Sequence, residues 1–151
     1  MSGVFFYYRY SKKYKMKKLD EFERMFVPQE LCQRLKYLGL KIPCFRGWDE
    51  NWSKTGWNLN APSNPGAVYK TQNYTLLAPL FSQAFKWFRD EHKLHCEIFH
   101  NPTVESGNWS FSFYFTHMRG RNTNVFHNYY TYEEAELALL EKIIYIIENK
   151  N

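Results

Sequence analysis

The sequence has 151 residues, the size of one domain that can bury a hydrophobic core. Its net charge of +5 comes from the start of the chain: residues 1–18 hold six basic residues and no acid, whereas the other 133 hold 14 basic and 15 acidic residues. Three widely spaced cysteines exclude a disulfide scaffold, and the lack of an apolar run of roughly 20 residues excludes a membrane-spanning helix, so we expect a cytoplasmic protein without membrane contact.

Three interpretations of residues 1–15 stay open, because this segment is aromatic first and then basic. The first interpretation is an arm that binds nucleic acid, since lysines neutralise phosphates and tyrosines stack on bases. The second is a partly ordered terminus. The third is that the segment precedes the natural start, since the residues from Met16 onward are typical of a bacterial start. We therefore expect an N-terminal extension over 1–15 and a single globular domain over 16–151.

The first helix is predicted over residues 28–38. Pro28 suits the first helical position, and Gly39 suits a C-terminal cap. Cys32 lies on the apolar stripe of this helix, which indicates a small core residue rather than a nucleophile.

A hairpin is predicted next, with strands at 44–48 and Gly56–Asn60. Three tryptophans, Trp48, Trp52 and Trp57, fall within ten residues, and we expect one or two of them in the core. Tryptophan offers a large flat surface at a low entropic cost, so Trp52 and Trp57 are predicted to contact a ligand.

Two long segments without periodicity are candidate binding loops. The segment 61–75 carries Tyr69, which is predicted to belong to a polar binding lip. The segment 118–130 carries Arg119 and Arg121, whose guanidinium groups suit an anionic group such as phosphate. Plain surface connections are the alternative for both segments.

The second helix is predicted over 79–92, with an aromatic stripe that packs in the core, and a second hairpin follows with strands at Leu94–His100 and 109–117. The last of these strands has the clearest pattern, a period of two. Its aromatic face is expected to be core, and its serine face is expected to be open. The two faces carry Trp109, Phe111, Phe113 and Phe115 on one side and Ser110, Ser112, Tyr114 and Thr116 on the other.

The final helix is predicted over 131–149, and Thr131 and Glu134 have the spacing of a capping box. Apolar residues cover most of its circumference. This pattern predicts either burial on two sides or contact with a partner chain, so a homodimer through the C-terminal helix is an alternative. The order α-ββ-α-ββ-α predicts an α+β fold: a single domain in which a mainly antiparallel sheet of about four strands packs against about three helices.

His92, His95 and His117 are candidate zinc ligands. If the two strands of the second hairpin pair symmetrically, the numbers of facing residues sum to about 209. His117 then lies opposite His92, and the three histidines lie at one end of the hairpin. The spacing matches no metal signature, so ordinary histidines are the alternative, and we predict no metal and no cofactor. The sequence contains no GxSxG, P-loop or GxGxxG motif, so an enzyme is disfavoured but stays open as a small metal-dependent one.

Four segments resemble a group of small uncharacterised proteins from phages and mobile elements of gut Bacteroidales. They are FVPQEL at 26–31, LGLKIPCF at 38–45, APLFSQAFKWFR at 78–89 and TYEEAEL at 131–137, and the resemblance covers roughly residues 26–147. The group has no established activity, so the resemblance implies no site residues. Chains of this group typically begin shortly before the VP dipeptide, which supports the division after residue 15.

The sequence therefore predicts a non-enzymatic phage-type accessory protein that acts in the cytoplasm of a host cell. Its expected partner is a small anionic ligand, such as a nucleotide-like signal, or a host defence protein that it inhibits. The alternatives are a nucleic-acid-binding protein that uses the basic arm and the metal-dependent enzyme.

Overall fold

The computed structural model describes residues 21, 23–51, 56–60, 76–102, 107–116 and 124–150. Within these ranges the chain forms three helices and six strands. The helices are α1 (Gln29–Tyr37), α2 (Phe81–His92) and α3 (Tyr132–Glu148). The strands are β1 (Arg46–Asn51), β2 (Gly56–Asn60), β3 (Leu76–Ala78), β4 (Leu94–His100), β5 (Trp109–Phe115) and β6 (Asn124–Tyr129).

The strands form two antiparallel sheets of three strands each, in the orders β2-β1-β3 and β4-β5-β6. The predicted α+β class, both hairpins and the order of helices and hairpins are confirmed. The structure adds a third strand to each hairpin and places the two hairpins in separate sheets. Strand β6 occupies 124–129, where the sequence predicts an irregular segment, and that prediction is wrong there. Its pairing with β5 and the stacking of Phe126 on Phe111 stabilise a strand that its own sequence pattern does not indicate.

Helix α1 ends as its sequence predicts. Gly39 has a φ of +92°, a conformation that favours glycine, and its N–H donates to the Lys36 carbonyl. The N–H of Leu40 donates to the carbonyl of Leu35, which completes a Schellman motif. At the other end Pro28 is the residue before the helix rather than its first residue.

The second hairpin has the predicted symmetric register. The pairs run from Leu94–Phe115 to His100–Trp109, and the residue numbers in every pair sum to 209. Thr116 continues this register with a 2.9 Å hydrogen bond from its N–H to the Lys93 carbonyl.

One hydrophobic core joins the three helices to the β4-β5-β6 sheet. Phe111 and Phe113 of β5 are buried as predicted. Helix α3 lies against this sheet and also contacts α1 and α2, so the predicted burial on two sides is confirmed. The fully or almost fully buried residues that the helices contribute are Leu31, Leu35, Ala84, Phe88, Ala135, Leu139, Leu140, Ile143 and Ile144.

The two serines of β5 are buried, whereas their neighbours on the same face of the sheet, Phe99 and Val125, are exposed. Ser110 is 0% exposed and Ser112 is 5% exposed. β5 is the central strand, so these short side chains lie between longer ones on both neighbours, with Phe99 opposite Ser110 on β4 and Val125 opposite Ser112 on β6. No described helix is long and apolar enough to cross a membrane.

Candidate functional site

The ligand surface that the sequence predicts lies largely outside the described residues. Trp52, Tyr69, Arg119 and Arg121 belong to ranges that the structure does not describe. The backbone of Trp57 lies in β2, but the structure does not describe the position of its side chain. The assignment of these five residues to ligand binding stays a prediction. Trp48, in contrast, packs against the core, and its indole N–H donates to a backbone carbonyl at 3.2 Å.

The predicted zinc ligands are only partly described. His117 lies outside the described residues, whereas His92 and His95 contact different aromatic partners. The ring of His95 stacks on Tyr114, with centroids 5.3 Å apart and an angle of 8° between the planes, and His92 contacts Trp87. Across the described ranges, no three His, Cys, Asp or Glu side chains form a group that could hold a metal ion. The three-histidine site stays a prediction because one of its members is not described.

A pocket of about 400 Å³ lies beside the C-terminal ends of α1 and α2. Seven residues line it: Leu38, Gly39, Lys41, Ile42, Trp87, Glu91 and His92. This volume falls within the range of small-molecule sites in proteins. The pocket is therefore the candidate functional site that the described residues provide.

Two left-handed residues shape this pocket by ending the helices beside it. Gly39 reverses the chain after α1, so that the following residues, Lys41 and Ile42, return to line the pocket. Lys93, with a φ of 55°, ends α2 directly after His92, and its N–H donates to the Phe88 carbonyl. Both helices thus direct the negative ends of their dipoles toward this region.

The histidine in the pocket wall is packed among aromatic rings. The centroid of His92 lies 4.8 Å from that of Trp87 and 5.6 Å from that of Phe88. Its Nε2 is buried and makes no hydrogen bond to any described residue. Burial lowers the pKa of His92, and the nearby Glu91 carboxylate opposes that shift. The imidazole is therefore neutral at physiological pH, and it contributes shape rather than charge to the wall.

The charges of the pocket are at its rim. Lys41 and Glu91 are both exposed, and neither makes an ion pair within the part of the chain that the structure describes. Trp87 and Ile42 provide apolar wall between them. The arrangement suits a small molecule with an apolar or aromatic body and a charged group that stays near solvent.

A serine–histidine pair on the β4-β5-β6 sheet is structural rather than catalytic. The Ser110 Oγ and the His127 Nδ1 lie 2.9 Å apart, the spacing of a nucleophile and its general base. Ser110 is fully buried, however, so a substrate cannot reach its hydroxyl. The hydrogen bond instead satisfies a buried polar group on the central strand.

The cysteines have no catalytic character either. Burial raises the pKa of Cys32, as the predicted core position implies, and raises the pKa of Cys44 to about 12 and that of Cys96 to about 11. A thiol with a raised pKa holds its proton and is a poor nucleophile.

Sequence reasoning missed the pocket, although it assigned most of its walls. It placed an aromatic core stripe on the second helix and Gly39 at the end of the first helix, and both assignments are correct. The pocket arises where these two helix ends meet in space, and no local pattern reports that meeting. Comparisons of the chain with protein-family models, with curated proteins and with solved structures give no match.

Proposed function

We propose that this protein is a non-enzymatic binding protein and that the pocket beside α1 and α2 is a binding site for a small ligand. The observation that supports the proposal is the combination of an apolar wall with two charges of opposite sign, Lys41 and Glu91, that form no ion pair with any described residue. A ligand with an anionic group would place that group at Lys41, whose charge opposes the negative helix ends and Glu91, and its apolar body against Trp87.

The biological setting in this proposal rests on the resemblance to proteins of phages and mobile elements. In that setting the protein acts in the bacterial cytoplasm, where it sequesters a nucleotide-like signal or inhibits a host defence protein. The predicted surface of Trp52, Trp57, Tyr69, Arg119 and Arg121 is the second candidate contact region within the same proposal.

Native mass spectrometry of the protein, purified gently from its expression host, tests the proposal. A captured ligand adds a few hundred daltons to the wild-type mass. We expect Lys41→Gln to reduce the occupancy about tenfold, because the substitution removes a charged contact. Glu97→Gln is the matched control, since Glu97 is an exposed charge on β4 that does not line the pocket.

Three other outcomes contradict the proposal or move its site. Bare protein, both as purified and after incubation with a lysate of the natural bacterium, argues against a small ligand. The ligand instead lies on the predicted surface if Lys41→Gln leaves the added mass unchanged and a combined mutation removes it. That combined variant changes Trp52, Trp57, Arg119 and Arg121. An added mass of about 65 daltons indicates zinc and supports the metal-dependent alternative.

A further inference from the structure

A corner of aromatic rings lies at the start of α3, where β4, β5 and α3 meet. Trp109 begins β5, and its ring lies 5.3 Å from that of Tyr132 with an angle of 86° between the planes. The Trp109 ring also lies 5.3 Å from that of His100, with an angle of 70° between the planes. We call His100, Trp109, Tyr132 and Glu136 the aromatic corner.

The corner is accessible, and its rings are not all part of the core. Tyr132 is 40% exposed, His100 is exposed, and Trp109 is half-buried. The negative faces of aromatic rings attract cations, and tryptophan attracts them most strongly. Exposed rings in this arrangement are typical of sites that bind alkylammonium or guanidinium groups.

A half-buried carboxylate completes the corner. Glu136 lies one helical turn after Tyr132, whose hydroxyl donates to the Glu136 Oε1 in a long hydrogen bond of 3.4 Å. No lysine, arginine or histidine of the described ranges forms an ion pair with Glu136. Burial raises the pKa of Glu136, the hydrogen bond from Tyr132 opposes that shift, and the neighbouring Glu133 carboxylate adds to it. A carboxylate that is partly removed from solvent and has no paired cation is stabilised when a ligand supplies a cation.

The local charge also favours a cation over an anion. The first turn of α3 has the positive end of the helix dipole, equivalent to about half a charge. Glu133 and Glu136 bring two carboxylates to the same place, and these outweigh the dipole. We propose that the aromatic corner binds an organic cation, either the ammonium or guanidinium group of a basic side chain in a partner or a free molecule with such a group.

Titration of the full chain with Nα-acetyl-arginine amide, followed by NMR, tests this inference. The matched ligand is Nα-acetyl-citrulline amide, which has nearly the same shape without the charge. We expect saturable shifts of the Trp109 indole N–H and of the backbone amides of 132–136 with the arginine compound only. The affinity is expected to be in the millimolar range or weaker, because the site offers a free cation only cation–π contacts and one carboxylate.

Variants separate a binding role from a structural one. Glu136→Gln is expected to weaken binding about tenfold, and Tyr132→Ala is expected to abolish saturation. Tyr132→Phe keeps the ring and is expected to retain binding. Tyr130→Ala is the control, since Tyr130 is 74% exposed beside the corner but belongs to none of its ring contacts. Circular dichroism of each variant checks that α3 stays folded.

The inference is overturned if the citrulline compound shifts the same signals to the same extent, or if Glu136→Gln and Tyr132→Ala bind the arginine compound like the wild type. Absence of saturable shifts in the folded wild-type protein also overturns it. A basic peptide is compared with Nα-acetyl-arginine amide to identify the source of the cation. Binding of the peptide more than about tenfold tighter indicates a protein partner, whereas equal affinities indicate a small molecule. The outcome is independent of ligand capture in the pocket of α1 and α2.

Discussion

His92 shows at the scale of one residue how packing sets a response to pH. Its ring lies beside Trp87 and Phe88, and its buried Nε2 makes no hydrogen bond within the part of the chain that the structure describes. Burial lowers the pKa of this imidazole below its ordinary value near 6.5. The unfolded chain therefore binds a proton at this residue at a higher pH than the folded chain does.

This difference fixes the sign of a prediction for His92→Phe. As the pH falls through about 6.5, the unfolded state takes up the proton first, so the folded wild type loses stability until the pH passes the lower pKa of the folded state. Phenylalanine fits the aromatic surroundings and has no proton to bind. We therefore expect the free energy of unfolding of the variant, relative to that of the wild type, to rise as the pH is lowered from 7 to 5.

Urea denaturation of both proteins at each pH measures this change as a difference of unfolding free energies. Carboxylates with lowered pKa values, such as Glu148 beside Arg34, also lose stabilisation on acidification. They are present in both proteins, so their contribution cancels in the difference. Parallel pH profiles for the two proteins would show that His92 is not desolvated in solution.

The start of α3 is the clearest case of a local sequence signal that determines an element. The N–H of Glu134 donates to the Thr131 Oγ1 at 3.1 Å, and the Glu134 carboxylate accepts from the Tyr130 N–H at 3.0 Å. The predicted capping box is therefore present, with the return bond made to the residue before the cap. The first bond satisfies an N–H group that the helix itself leaves without an acceptor, and the second holds the residue before the cap against the first turn.

Removal of the capping hydroxyl has a predictable cost. We expect Thr131→Ala to lower the free energy of unfolding by about 1 kcal/mol, because one N–H at the helix start loses its acceptor. Thr131→Ser keeps the oxygen and is expected to stay within a few tenths of a kcal/mol of the wild type. Chemical denaturation distinguishes the two, and an equal loss in both variants would mean that the threonine methyl group, not the cap, stabilises this end.

Sequence reasoning succeeded where a single segment determines its own structure and failed where two segments must meet. Gly39, Thr131 and the alternation of 109–115 each act locally, and the helix end, the helix start and the strand follow from them. Strand β6 depends on pairing with β5, so its own residues do not indicate it. Burial of Ser110 likewise depends on having neighbours on both sides, which a strand pattern does not show.

The same contrast applies to the candidate sites. Trp87 and His92 were separately visible in the sequence, but the pocket requires α1 to end beside α2. The aromatic corner requires the register that places His100 opposite Trp109, together with the packing of Tyr132 against Trp109. The symmetric register was predictable from the hairpin, whereas the position of α3 on the sheet was not.

Across the molecule, the two sheets pack against one common hydrophobic core. Leu35 of α1 and Leu76 of β3 belong to the same buried cluster as Phe111 of β5 and Leu139 of α3. The bidentate pair between Arg34 and Glu148, with N–O distances of 2.9 and 2.5 Å, also joins α1 to the end of α3. That pair is partly exposed and contributes at most about 1 kcal/mol, so the shared apolar core provides the main coupling.

A shared core predicts that the two sheets unfold together. Leu35 is fully buried, and we expect Leu35→Ala to lower the free energy of unfolding by about 2–5 kcal/mol, through lost apolar burial and the cavity that remains. If the core is one unit, the amide NMR signals of β1 and of β5 disappear at the same urea concentration in the wild type. In the variant both sets then shift to a lower concentration by the same amount. Were the signals of β1 to disappear first, or alone to shift in the variant, residues 16–151 would contain two units that unfold separately, and the expectation of a single domain would be wrong.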